Sequence, residues 1–202
     1  MSKHNFSVKC ARICGHFDLI SMTYGSKAEN THARLYAANT LCSACVDSLI
    51  GIVKPADKGF FKLDLPPLRG TPRAVSYANS IRIQRLRYVG PIMAKLQKMD
   101  DPFAQISLAI FKMMFKISSS SFWINGKDFS NDWNWMSFEI AALMRKTRTS
   151  ALNPMPNSAH AYWLATDQAV IADAANALQL LPPAQGHIEP AVPAVEAHCA
   201  VN

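Results

Sequence analysis

K-C-A-R-I-C-G-H at residues 9–16, answered by C-S-A-C at residues 42–45, is the stretch whose reading decides the fold. Two close cysteine pairs, Cys10/Cys14 and Cys42/Cys45, are separated by the twenty-seven residues from Gly15 to Leu41. Zinc takes four soft or borderline ligands in a tetrahedron, and two tight turns can supply two thiolates each. Gly15 directly after Cys14 suits a backbone that must turn sharply there. The insert carries a strand-like run, Phe17 to Tyr24, a turn at Gly25-Ser26, and a second stretch, Thr31 to Leu41, read as extended. The expectation is a four-cysteine zinc ribbon over residues 1–53, holding one structural Zn2+ through Cys10, Cys14, Cys42 and Cys45. The first spacing is C-x3-C rather than the commoner C-x2-C, and His16 and His32 are available as substitute ligands. Two disulfides in a secreted domain are the alternative. The opening Met-Ser-Lys has no signal-peptide pattern, which favours zinc and a cytoplasmic location. Cys199 is expected to be an ordinary free thiol.

Working outward, residues 54–70 read as a connector, since Pro55, Gly59, Pro66, Pro67 and Gly70 resist regular structure. Phe60, Phe61, Leu63 and Leu65 within it offer apolar anchors. A mainly α-helical body is expected over 71–148, giving an α+β chain overall. Thr71-Pro72 sets an N-cap and first helical position, and Gly90-Pro91 is expected to end that helix before a short piece at 92–99. Asp101-Pro102 starts the next by the same logic, and F-A-Q-I-S-L-A-I-F-K-M-M-F-K-I is apolar enough to be the central buried helix. Asp132 caps another. Residues 149–181 read as a linker and a single alanine-rich helix from 158, and 182–202 as a disordered tail. No run of eighteen apolar residues occurs, so no membrane span is expected.

Charge is distributed unevenly. All 21 lysines and arginines lie at or before Arg148, whereas residues 151–202 contain four acids and no lysine or arginine. Leu65 to Met99 holds Arg69, Arg73, Arg82, Arg85, Arg87, Lys95 and Lys98 and no carboxylate. Guanidinium forks grip phosphate oxygens at two points, and Tyr77 and Tyr88 interleave as stacking faces, so these residues are candidates for binding RNA or duplex DNA. A solvated helix face is the plainer alternative. At about 100° per residue the arginines do not share one stripe. Phe122, Trp123, Trp133 and Trp135 read first as core, and second as a stacking or docking patch. Phosphate-binding glycine loops, G-x-S-x-G and H-E-x-x-H are all missing, so function by binding rather than catalysis is expected.

With those residues in hand, the chain resembles short bacterial proteins, common on plasmids and phages, that join a zinc ribbon to a helical body. The similarity lies in C-x3-C-G-H…C-x2-C, in L-P-P-L-R-G-T-P-R-A-V-S-Y-A-N-S-I-R (Leu65–Arg82) and in S-S-F-W-I (Ser120–Ile124). It covers about residues 8–126. Tyr77 stands where that group usually has tryptophan. The chain looks most like the small zinc-finger large subunit of type IV CRISPR effector complexes. That resemblance implies a non-catalytic subunit of an RNA-guided complex, beside the guide RNA 5′ end and the duplex DNA flanking the target, with other protein subunits as partners and a bacterial cytoplasm as setting. Two further readings stand beside it: a stand-alone plasmid or phage DNA-binding regulator, and a protein-interaction adaptor.

Overall fold

The computed structural model describes residues 4–56, 58–145, 154–179 and 181. Eight helices and one two-stranded sheet make up the regular structure of these residues. The expected disordered tail and Cys199 lie outside the described residues, as does most of the expected linker.

An antiparallel hairpin opens the chain. β1 (His4–Ala11) pairs with β2 (Phe17–Tyr24) in a register that sets Cys10 opposite Asp18 and Ala11 opposite Phe17. Thr31 to Leu41 is not a strand. Lys27–Ala38 forms helix α1, which packs across the hairpin. The cause is local: the Ser26 hydroxyl accepts the Glu29 N–H while the Glu29 carboxylate reaches back to the Gly25 N–H, in the manner of a capping box. An alanine-rich segment with low β propensity follows. Helix α2 (Ser43–Ile52) begins at the second cysteine pair, so that pair sits on a helix N-terminus rather than on a second knuckle. The order is hairpin, helix, helix, not knuckle, hairpin, knuckle.

After α2 the described residues up to Arg69 hold no regular structure, and one isolated bridge pairs Arg69 with Ser119. Phe61, Leu63 and Leu65 lie partly buried against the core as anchors, but Phe60 is 87% exposed and anchors nothing. Two of the three stretches that carry the resemblance, Leu65–Arg82 and Ser120–Ile124, meet here. The Arg69 N–H donates to the Ser118 carbonyl at 2.7 Å, and the Ser120 N–H returns to the Arg69 carbonyl at 3.0 Å. Gly70 makes the approach feasible: its φ is +147°, and a Cβ there would lie 2.1 Å from the Ser120 hydroxyl.

Thr71 caps helix α3, with Pro72 at its first position, as the sequence predicts. The predicted stop at Gly90-Pro91 is passed, and α3 runs from Pro72 to Leu96. Proline removes one helical hydrogen bond, yet Val89, Gly90, Ile92, Met93, Ala94 and Leu96 are all buried around it. Core packing on both sides of Pro91 thus holds the helix through the missing bond. Helix α4 (Pro102–Phe115), capped by Asp101, is the central helix, with Ile106, Ile110, Phe111, Met114 and Phe115 removed from solvent. Lys112 and Lys116 stay exposed on it; Lys112 lies over the Phe61 ring and Lys116 pairs with Asp173 at 3.2 Å.

The short helix α5 (Ser120–Asn125), α6 (Trp133–Met144, capped by Asp132), α7 (Ala159–Thr166) and α8 (Ala169–Leu178) close around α4. The expected single alanine-rich helix is two, because Asp167 turns extended and its carboxylate takes the Ala169 N–H. Trp123 and Trp135 are core, donating their ring N–H groups to the Ile117 and Asn157 carbonyls, whereas Trp133 stays exposed. Leu41, Cys42, Cys45 and Leu49 share one continuous core with α3, α4 and α6. Among the described residues no single helix is long and apolar enough to cross a membrane.

Candidate metal centre and basic face

Four potential ligand atoms converge where the hairpin turn meets the N-terminus of α2. Cys14, His16, Cys42 and Cys45 place one donor atom each within 4.8 Å of one another, a set able to hold one metal ion. All described cysteines are free thiols, so no disulfide competes for them. Cys10 is not in the group. It lies on β1 opposite Asp18, inside the regular ladder, and His16 occupies the place the sequence reading assigns to it. His32 is exposed on α1, away from the cluster.

The knuckle builds itself from its backbone. The Arg12 N–H donates to the His16 carbonyl at 2.8 Å and the Gly15 N–H to the Arg12 carbonyl at 2.9 Å, closing a turn in which Gly15 takes φ +80°. That turn lifts Cys14 and His16 off the hairpin end toward α2. Across from them, the Cys42 sulfur is the N-cap of α2 and accepts the Cys45 N–H at 3.4 Å, while the Cys42 N–H points to the Cys14 sulfur at 3.4 Å. Amides and a helix N-terminus aimed at sulfur favour thiolate over thiol. His16 presents Nδ1, 3.4 Å from the Cys45 sulfur and 3.6 Å from that of Cys42.

The three sulfurs share charge unequally. The Cys45 thiol, hydrogen-bonded to the Cys14 sulfur, pulls Cys14 down to about 4, and that same hydrogen bond pushes Cys45 far up. Burial raises Cys42. Three thiolates this close require a cation to be ionised together, and a divalent ion supplies that charge. Around the cluster, Arg12 donates to Asp18 through Nε and Nη2, and through Nη1 to the Ala37 carbonyl and the Thr40 hydroxyl at 2.8 Å. Burial would raise the Asp18 carboxyl, but Arg12 and the Ser43 N–H outweigh it and hold it below its ordinary value. Arg12 and Asp18 are functional neighbours that sequence reading passed over. Their spacing around Cys14 and His16 was the available signal.

The basic stretch divides in two. Arg82 is 6% exposed and donates to the Pro66 carbonyl at 2.7 Å and to the Asn79 side chain. It ties the start of the Leu65–Arg82 motif to its end. Arg85, half-buried, donates to the Asn131 side chain and to the Gly126 and Lys127 carbonyls, bracing the loop between α5 and α6. Lys95 caps the end of α2 through the Gly51 and Ile52 carbonyls. These three are taken up by the fold and are corrected from phosphate contacts to structural ones. Arg69, Arg73, Arg87 and Lys98 are exposed, as is Tyr77, and no acid among the described residues pairs with these four cations. Arg73 and Tyr77 line one end of a surface depression along α3. Tyr77 also opens a larger groove, shared with Gln84, Tyr88 and the 127–131 loop. Lys127 and Phe129 of that loop were not singled out by the sequence, because only the tertiary fold brings them beside α3.

No family model, curated protein or solved structure gives a significant match to this chain.

Proposed function

We propose that this chain is a non-catalytic nucleic-acid-binding subunit of an RNA–protein assembly, its N-terminal part held by one structural zinc ion. The observation that carries the reading is the outward face of α3, where Arg73 and Arg87 are exposed on the same helix as Tyr77 and Tyr88, with Arg69 exposed just ahead of it, and none of the three arginines has an acidic partner among the described residues. Unpaired guanidinium groups next to exposed aromatic rings suit a phosphate backbone with accessible bases or sugars. Three cysteines and one histidine are a zinc donor set, and four protein ligands leave no open position for substrate or water. That supports a structural rather than a catalytic ion. The likeness of Leu65–Arg82 and Ser120–Ile124 to the large subunit of type IV CRISPR complexes supplies the setting: an RNA-guided effector, with contacts to the guide RNA 5′ end and to duplex DNA flanking the target. Neighbouring protein subunits would meet the outer hairpin face, where Phe17 and Leu19 are exposed.

The test is a salt titration of binding to short RNA and duplex DNA by the zinc-loaded protein. Each duplex phosphate contact contributes about 0.9 to the log–log salt slope. The double variant Arg73→Ala, Arg87→Ala is expected to weaken binding and flatten the slope by about 2. Equal affinity and slope in parent and variant would reject the nucleic-acid reading. Protein expressed with its genomic neighbours should carry RNA, seen as nuclease-sensitive absorbance at about 260 nm.

A further inference from the structure

We infer that the groove between α3 and the loop at residues 127–131 is a binding site for single-stranded nucleic acid, with bases stacked on Tyr77, Tyr88 and Phe129. This rests on the nucleic-acid reading above and narrows it to one form of ligand. The groove is open and has a volume of about 740 Å³, with Tyr77, Ser80, Gln84 and Tyr88 on one wall and Lys127 to Asn131 on the other. Its three rings are unusually available: Tyr77 is 49% exposed, Tyr88 41% and Phe129 37%.

Helical geometry puts the tyrosines in line. Eleven residues at about 100° each return Tyr88 to within roughly 20° of Tyr77, and Gln84 falls within about 20° on the other side. At about 1.5 Å per residue the two rings stand some 16 Å apart, close to five steps of a strand stacked at about 3.4 Å. A duplex keeps its base faces inside the stack, so rings on a groove wall offer it little. A single strand presents those faces, and stacking on them tolerates any base sequence.

The charges fit the same ligand. Arg73 lies one turn before Tyr77, and Lys127 lines the facing wall; neither has an acidic partner among the described residues. Among the described residues, Asp128 is the one carboxylate lining the groove. The loop wall is also held in place before any ligand arrives. Arg85 ties Gly126, Lys127 and Asn131 to α3, and the Asn157 amide donates to the Ser130 carbonyl at 3.1 Å. A wall braced in this way loses little freedom on binding, which favours affinity. The burial of Arg85 removes a phosphate contact and in return fixes the aromatic and basic residues of the groove.

The experiment uses the full zinc-loaded chain, with short fluorescent oligothymidylate, oligouridylate and a duplex of equal length, by anisotropy over a range of salt. The single strands are expected to bind about tenfold or more tightly than the duplex. Tyr77→Leu with Tyr88→Leu should weaken single-strand binding by about tenfold or more while leaving the salt slope unchanged. Tyr77→Phe with Tyr88→Phe should retain binding, since the rings remain, and it controls for loss of fold. Arg73→Gln with Lys127→Gln should flatten the slope by about 1.4, at roughly 0.7 per single-strand contact. Equal or tighter duplex binding, or a leucine variant that binds like the parent, overturns the inference. If the parent still shows a salt slope in that case, only the stacked single strand falls. If the parent shows no slope at all, the nucleic-acid reading falls with it.

Discussion

The Asp18 carboxylate accepts both the backbone N–H and the hydroxyl of Ser43, at 3.1 and 3.2 Å, and so fastens the hairpin to the N-terminus of α2, where Cys42 and Cys45 join the candidate metal cluster. The same carboxylate takes two bonds from Arg12, which in turn holds the end of α1. Three elements are thereby registered around four ligand atoms. Asp18→Asn keeps the shape and removes the charge. It should lower metal affinity about tenfold to a hundredfold, as loss of an outer partner commonly does. Competition with a chelator of known affinity measures this; unchanged affinity would show that the knuckle is set without Asp18.

Cys10 and His16 are separated by the same assay. Cys10→Ser should keep one zinc per chain, whereas His16→Ala should lose it or hold it far more weakly, because His16 and not Cys10 lies with Cys14, Cys42 and Cys45. Zinc content by elemental analysis distinguishes them. Loss of zinc in Cys10→Ser with retention in His16→Ala would reverse the assignment.

Arg85 and Arg73 should behave oppositely although both are arginines of one helix. Arg85→Ala leaves the Gly126 and Lys127 carbonyls and the Asn131 side chain without their donor, and should cost about 1–3 kcal/mol of stability. Arg73→Ala is exposed and should change stability by no more than about 0.5 kcal/mol. Chemical denaturation of both variants decides it, and equal stabilities would deny Arg85 its bracing role.

Glu139 predicts a pH dependence. It is buried on α6, accepts the His160 N–H at 2.8 Å, and is pushed up to about 7 by burial, against the pull of Ser158, the α7 amides and Arg145. A carboxyl raised in the folded state binds its proton more tightly there than in the unfolded chain. Its contribution is therefore complete below the ordinary carboxyl range and is lost as pH rises toward 7, at no more than about 1.4 kcal/mol per pH unit. His160, lowered by burial and by Arg145, acts with the opposite sign below its own ordinary value of 6.5. Comparing the parent with Glu139→Gln isolates the carboxyl, since His160 is common to both. Melting temperature should fall from pH 5 to 8 more steeply in the parent than in the variant. Parallel profiles would mean that Glu139 does not titrate in that window.

Much of the body is legible in the chain because its signals are local. Thr71-Pro72, Asp101-Pro102 and Asp132 start helices by bonding to amides two or three residues on, and the apolar run of α4 could only be interior. Ser26 and Glu29 form an equally local signal, and overlooking it turned α1 into an expected strand.

What the sequence determined by itself is the start of the helices capped by Thr71, Asp101 and Asp132, the central place of α4, and a cysteine-rich cluster within the first forty-five residues that could hold a metal ion. Tertiary structure alone decided which four side chains meet and which cations remain on the surface. Arg82 and Arg85 differ from Arg73 and Arg87 through distant carbonyl and amide partners, Pro66 lying 16 residues away from Arg82 and the loop from Gly126 to Asn131 lying 41 to 46 residues away from Arg85. Likewise His16 joins Cys45 across 29 residues while Cys10 is drawn into the strand ladder beside Asp18. Capping depends on a few neighbouring dihedral angles and can be read from neighbours. Burial of a charge or convergence of ligands depends on which distant carbonyl, carboxylate or sulfur the packed core delivers, and that is settled only when the chain has folded.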